Sequence, residues 1–250
     1  MVCRETRTFA DGEDPSGSRN PRRLIMDRNT LEWLIVVIVG APGVLFLGLS
    51  ILWLLGWNGA ERTASGLTGF LFLVLTLLSG VLTCGMMVNR TPGISVDVGN
   101  WFELGDYGFL IRLTVDRLSL PMVILTVVLV GLVGRFSSRY LHRDPGHFRF
   151  FALMNLFAFG SLLLFTAGSI ELLIAGWELV GITSVLLIGF FHYREQPVAN
   201  AIRVFASYRL ADLCILVAVF LSHHWYGSGL WSGMLGGNGP GKPPWSPERD

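Results

Sequence analysis

The chain has 250 residues, 52% of them hydrophobic and 15% charged, with a mean hydropathy of +0.55 and a formal net charge of +1. Soluble domains carry roughly a quarter charged residues, so this composition excludes an ordinary water-soluble globule and indicates an integral membrane protein. Near-neutrality with scattered arginines also excludes a nucleic-acid partner, because phosphate binding requires a concentrated basic surface.

Residues 1–30 are polar, and DGEDPSGSRNP supplies only turn and loop residues, so a disordered arm is expected. The apolar run that follows is too long for a signal-peptide core and lacks a small-residue cleavage pattern. A start at Met26, with the arm as an extended reading frame, accounts for the arm equally simply. A first span is predicted over Leu31–Trp57, kinked at Pro42, and a second over Gly66–Val88, since roughly 20 residues at 1.5 Å each cross the hydrocarbon core. Trp33, Trp53 and Trp57 suit interfacial anchors.

From Asn89 to Arg117 the pattern changes to turn residues at Pro92–Gly93, Gly99–Asn100 and Gly105–Asp106, separated by β-prone pieces. Ile94, Val96 and Val98, then Phe109, Ile111, Leu113 and Val115, alternate as strands do, which predicts a β-hairpin over 92–116 on one membrane face. Asp97, Glu103 and Asp106 read as turn and surface residues. A third span follows over Leu118–Arg135, with Asp116 and Ser119 in capping positions.

Arg135, Arg139, Arg143, Asp144 and Pro145 form a polar connection, after which Phe150–Phe191 is apolar for about twice the length one span needs. It must fold back, and Gly168 with Ser169 is the natural turn between a fourth span, Arg149–Ala167, and a fifth, Ile170–Phe191. A polar connection at His192–Gln196, closed by Pro197, leads to a sixth span over Val198–Leu221 and a coil tail over 226–250. The fold class is therefore an all-α integral membrane protein, a bundle of about six transmembrane helices over 31–225 with a short hairpin between the second and third, and no internal repeat. The arginines of the 135–149 loop mark it as cytoplasmic, whereas those of the N-terminal arm argue the reverse; short loops near span ends carry the rule. That choice places the hairpin and both termini outside.

Polar residues inside the spans carry the functional argument. Glu178 lies near the middle of the fifth span, and a carboxylate at bilayer depth costs about 2.5–3.5 kcal/mol or more, so it faces protein or a water-filled cavity. Arg209 and Asp212, at i and i+3, share one face of the sixth span, with Ser207 and Tyr208 adding hydroxyls beside them. Either Arg209 reaches Glu178 across the interface or desolvation keeps Glu178 protonated. Two such helices have the parts of a proton relay, but Arg209 with Asp212 is also a neutral pair that could simply join helices. Asn155 suits an interhelical hydrogen-bond donor, and Gly131, Gly134 and Gly160 suit close helix packing. His142 and His147 flank a loop and His192, His223 and His224 lie at span ends, where solvated histidine is the common case, and Glu171 at a span end reads as hydrated. Adjacent histidines point about 100° apart on a helix and are a poor metal pair. Cys3, Cys84 and Cys214 form neither a disulfide framework nor a metal spacing. No phosphate-binding glycine loop, nucleophile elbow or dinucleotide fingerprint is present, so no cofactor, metal or catalytic site of the chain's own is expected.

Five segments in order, VDRLSLPM (Val115–Met122), SSRYLHRD (Ser137–Asp144), FRFFALMNLF (Phe148–Phe157), GWELVGITSVLLIGF (Gly176–Phe190) and SYRLADLCIL (Ser207–Leu216), resemble the N-terminal part of the antiporter-like membrane subunits. That family comprises subunit 5 of respiratory complex I, the large Mrp cation/proton antiporter subunit, and membrane subunits of inorganic-carbon transporters. The resemblance covers about Phe109 to His223 and implies that Glu178 is the family's intramembrane glutamate and Arg209 with Asp212 its R-x-x-D. It also implies outer-face hairpins, and later broken helices carrying lysines. This chain's one lysine is Lys242, in the tail. The expectation is therefore a truncated product, half of a split gene, or a subunit whose lysine-bearing helices come from a partner.

The leading expectation is a multi-pass membrane subunit, in a bacterial inner membrane, that contributes the Glu178 half of a proton or cation path, with Arg209 and Asp212 tuning it or linking it onward. Its partners would be the bilayer and other membrane subunits of an ion-translocating complex, of which a non-redox subunit of an NADH-quinone oxidoreductase type translocase is one form. One alternative is the membrane partner of a proton-gradient-driven bicarbonate or CO2 uptake complex. Another is an assembly subunit with no ion path of its own.

Overall fold

The structure is a computed structural model and describes residues 26–56, 61–104 and 107–226. Residues 1–25 of the expected arm with Cys3, Trp57, the expected Gly105–Asp106 turn and the tail with Lys242 lie outside the described residues, as do the side chains of Glu103 and His223, whereas residues 28–30 of that arm belong to the first helix.

The element order is α1 (Arg28–Leu54), α2 (Glu61–Val88), β1 (Gly93–Leu104), β2 (Tyr107–Asp116), α3 (Ser119–Tyr140), α4 (His147–Phe165), α5 (Ile170–Ile188) and α6 (Glu195–Tyr226). All six helices are long and apolar enough to cross a membrane by length and composition. Their outward faces carry Leu47, Leu54, Phe70, Leu77, Leu132 and Phe220, while Phe72, Phe151, Leu31, Ile35 and Leu75 fill the interior. Helices that are apolar on every side are those of a membrane bundle, and the chain is a multi-pass membrane protein with a hairpin between its second and third helices. α1 continues through Pro42, which is buried.

Of the boundaries that differ from the sequence reading, three have a clear local cause. α3 runs on to Tyr140, so Arg135 and Arg139 are helical. SSRY contains no breaker, and Arg139 in the last turn complements the negative helix end. The true turn comes at Arg143, whose φ is 67°, and at Asp144, whose Oδ1 accepts the Gly146 N–H at 2.7 Å. α6 begins at Glu195, before Pro197, because proline in a first helical turn sacrifices only an N–H that has no intrahelical partner.

The third difference lies in the hairpin. Gly99–Asn100 is not a turn: the β1–β2 ladder passes through it with register shifts at Asp97/Gly99 and Asn100/Phe102, and Gly99 adopts φ 150°. This is a bulge that lets the 12-residue β1 pair with the 10-residue β2. Ile94, Leu113 and Val115 turn inward, as the alternation predicts. Asp97 stands opposite Arg112 in the ladder and binds its guanidinium at 2.5 and 3.0 Å, so it is a strand residue and not a turn residue. The hydrogen bond to Asp97 holds the Arg112 guanidinium above its usual pKa, although burial works against it.

The hairpin is stitched to the α4–α5 turn. Thr114 N–H donates to Thr166 O at 2.7 Å, Gly168 N–H donates to Arg112 O at 2.8 Å, and Leu113 forms an isolated bridge with Ala167. A Cβ on Gly168 would lie 2.7 Å from Arg112 O, so this contact needs glycine. Ser169 then caps α5 by accepting the Leu172 N–H at 3.3 Å. The hairpin and the α4–α5 turn thus share one face of the bundle, and the α3–α4 and α5–α6 connections occupy the other.

α4 and α5 pack at backbone distance, because a Cβ on Gly176 would lie 2.6 Å from Leu164 N and one on Gly160 would lie 2.7 Å from Leu179 Cβ. Gly131 and Gly134 likewise receive Phe72 and Met154. Asn155 is fully buried and donates across to Thr68 Oγ1 on α2 at 2.9 Å, the interhelical role read from the sequence.

A candidate ion-pair site between α5 and α6

The Ser169 cap sets where α5 starts, and that start places Glu178 near the helix midpoint, far from either end. α6 lies against α5 through Gly181, which has no side chain to hold it off. The Tyr208 ring occupies the space a side chain would need, 2.1 Å from an added Cβ. Tyr208 donates its hydroxyl to Trp177 O at 2.6 Å, and its ring stacks on the Trp177 indole with centroids 5.5 Å apart. These contacts set the height and rotation of α6 against α5.

In that setting Arg209 faces Glu178. Its Nη2 lies 2.5 Å from Glu178 Oε2 and its Nη1 3.5 Å from Oε1, a two-pronged approach across the interface. The Arg209 Nε lies 3.2 Å from Asp212 Oδ2, at ion-pair distance but without hydrogen-bond alignment. Asp212 is buried, and its Oδ1 accepts the Trp177 Nε1–H at 2.9 Å. Phe205 and Tyr208 place their rings 5.3 and 5.8 Å from the guanidinium carbon.

The structure therefore brings together all three residues singled out in the sequence, Glu178, Arg209 and Asp212. Of the two states open to Glu178, contact with Arg209 is the one observed. Two carboxylates share one guanidinium, so with all three groups ionised the cluster carries one net negative charge. The side chains of Glu178 and Arg209 are 30% and 38% exposed, against 5% for Asp212, so the cluster opens on one side beyond the bundle.

Ser207 does not join it. Its hydroxyl donates back to Arg203 O and Val204 O on its own helix, and the residue is exposed. Trp177 and Tyr208 are the members that sequence reasoning underrated. Each directly precedes a charged residue, and neighbours on a helix point about 100° apart; a site spanning a helix interface uses both directions. His147, read as a solvated loop residue, is buried with its ring 4.7 Å from that of Phe151. His192 sits on the opposite membrane face from the hairpin, with Nδ1 3.3 Å from Arg149 Nη2.

Residues 101–151 match the family described as NADH-Ubiquinone oxidoreductase (complex I), chain 5 N-terminus. Over this portion the chain is similar to the antiporter-like membrane subunits, as its motifs implied. Among individual proteins it is 33% identical over 144 residues to NADH-quinone oxidoreductase subunit L of Mycobacterium tuberculosis, covering 58% of this chain and 23% of that one. It is 30% identical over 152 residues to subunit L of Escherichia coli, covering 61% and 25%. With NADH-ubiquinone oxidoreductase chain 5 of Neurospora crassa it shares 28% over 156 residues, covering 59% and 22%. The matched region spans about a quarter of the length of these relatives. The 101–151 match ends before Glu178, Arg209 and Asp212.

Proposed function

We propose that this chain contributes part of a proton or cation translocation path in a membrane complex, with Glu178 as the proton-carrying carboxylate. Arg209 and Asp212 tune it and link it to the next site. The observation that carries this reading is the cluster itself: two carboxylates sharing one guanidinium between the midpoints of two spans. A neutral Arg–Asp pair would suffice to join helices, whereas an additional carboxylate leaves a negative charge at bilayer depth that one proton neutralises. Names of the relatives, subunit L and chain 5 of NADH-quinone and NADH-ubiquinone oxidoreductases, favour that enzyme context over bicarbonate uptake.

Other membrane subunits would be the partners. A charged pair a third exposed cannot face lipid at that depth without a large cost. The open side of α6, with Leu210, Leu213, Leu216 and Val217 exposed, would therefore be covered by further protein, such as the lysine-bearing helices the family resemblance implies. In domain terms, 31–225 acts as the membrane unit, between the arm and the tail.

The test is Glu178→Gln in the assembled complex reconstituted into proteoliposomes. Loss of coupled ion movement with normal assembly supports the relay. Loss of assembly without a transport defect assigns the cluster to packing and defeats this reading.

A further inference from the structure

We propose that the pocket where α2 ends and α3 begins binds the phosphate headgroup of an anionic phospholipid in the leaflet on the hairpin side. This cavity, of about 490 Å³, is lined by Met86, Met87, Arg90, Thr91, Arg117 and Leu120. It lies where α2 ends at Val88 and α3 begins at Ser119, at the ends of two spans beside the hairpin.

Among the described residues, neither guanidinium has a carboxylate partner. The Asp97 carboxylate is taken by Arg112. The Asp116 carboxylate, adjacent to Arg117 in sequence, accepts the N–H groups of Leu118 and Ser119 at 2.9 and 2.7 Å. Two cations are thus held beside one cavity with no described anion between them.

The backbone supplies an independent observation. α2 closes with Thr91 N–H donating to Met86 O at 3.1 Å and Arg90 N–H to Met87 O at 3.2 Å, which puts Arg90 at φ 51°. This is the left-handed position after a helix that glycine ordinarily fills. An arginine there carries a conformational penalty, and such strain is found where the side chain has a task.

The pocket's chemistry selects among phosphates. Its lining is otherwise apolar, with Met86 and Leu120 buried and Met87 73% exposed beside them. Inorganic phosphate would engage the two guanidiniums but leave the exposed Met87 side chain uncovered. A phospholipid places its phosphate between the guanidiniums and its glycerol and upper acyl carbons against Met87.

The experiment uses the full chain in detergent, stripped of lipid and titrated separately with phosphatidylglycerol, phosphatidylcholine and inorganic phosphate. Retained lipid is read by native mass spectrometry and stability by thermal shift. Phosphatidylglycerol should be retained and should stabilise, and Arg90→Gln with Arg117→Gln together should weaken retention roughly thirtyfold, from the usual contribution of a basic residue near an anionic lipid surface. Arg90→Gly separates headgroup binding from folding, because it should raise the thermal midpoint without lipid yet weaken phosphatidylglycerol retention roughly fivefold. Equal retention of phosphatidylcholine, retention unchanged by the arginine substitutions, or an equal shift with inorganic phosphate alone would overturn the proposal.

Discussion

The Trp177 indole donates to Asp212 at 2.9 Å, so the residue preceding Glu178 in α5 holds the very carboxylate that shares Glu178's arginine partner on α6. Trp177→Phe keeps the ring stacked on Tyr208 and removes only the donor. An interhelical hydrogen bond in a membrane contributes about 1 kcal/mol, so the protein should stay folded. Asp212 should then compete differently for Arg209, and the pH profile of ion movement in proteoliposomes should shift with little loss of assembled protein. An unchanged profile would remove Trp177 from the site.

Removing the arginine alone should be worse than removing it with its partner. Arg209→Met leaves two carboxylates beside each other at bilayer depth with no cation, whereas Arg209→Met combined with Glu178→Gln leaves one. Folded yield after membrane extraction should fall for the single variant and recover partly in the double. Equal yields would mean that Glu178 and Arg209 are not energetically coupled.

Glycines in the bundle should divide sharply by what stands next to them. A Cβ on Gly176 would lie 2.6 Å from Leu164 N and 2.9 Å from Gly160 O, and backbone cannot step aside. Gly176→Ala is expected to cost about 1–3 kcal/mol by forcing α4 and α5 apart. Gly48, in α1, has nothing within 4 Å of its would-be Cβ, so Gly48→Ala should be neutral or stabilise by about 0.5–1 kcal/mol. Thermal midpoints in one detergent test the contrast, and a similar change at both positions would contradict it.

Asp116 and Ser119 cap α3 reciprocally, with the Asp116 N–H donating to Ser119 Oγ at 2.8 Å and Asp116 Oδ1 accepting two backbone N–H groups. Burial pushes the Asp116 carboxyl upward, but the hydrogen bonds from Ser119 and Leu118 outweigh it and hold the group below its ordinary 3.8. A carboxyl lowered by folding contributes stability that is complete above 3.8 and is lost as pH falls through the folded value. Asp116→Ala should therefore cost about 1 kcal/mol at neutral pH, typical of a lost cap. The gap between variant and parent in thermal midpoint should close only in strong acid. A gap already closing at pH 6 would mean that another group controls this helix end.

The six spans could be read along the chain because hydropathy is a local sum and a bilayer requires each segment to satisfy its own backbone hydrogen bonds. Glu178, Arg209 and Asp212 were visible for the same reason, as charges that lipid does not tolerate. The ends of α3 and α6 were misplaced because hydropathy marks where lipid stops and not where a helix stops. Arg139 is a favourable last-turn residue, and Pro197 a permitted first-turn one. Gly99 looked like a turn because a bulge is defined by a partner strand that no local window contains.

Sequence alone thus determined the membrane class, the spans, the hairpin and which charges lie inside the spans. Only the tertiary structure decided which groups meet: that Arg209 bridges two carboxylates, that Trp177 and Tyr208 belong to the cluster while Ser207 does not, and that Arg90 and Arg117 share a pocket. The physical reason is that a helix's rotation is set by what packs against it. Here that is Tyr208 filling the space at Gly181 and the hairpin hydrogen-bonded to the α4–α5 turn, contacts between residues far apart in the chain.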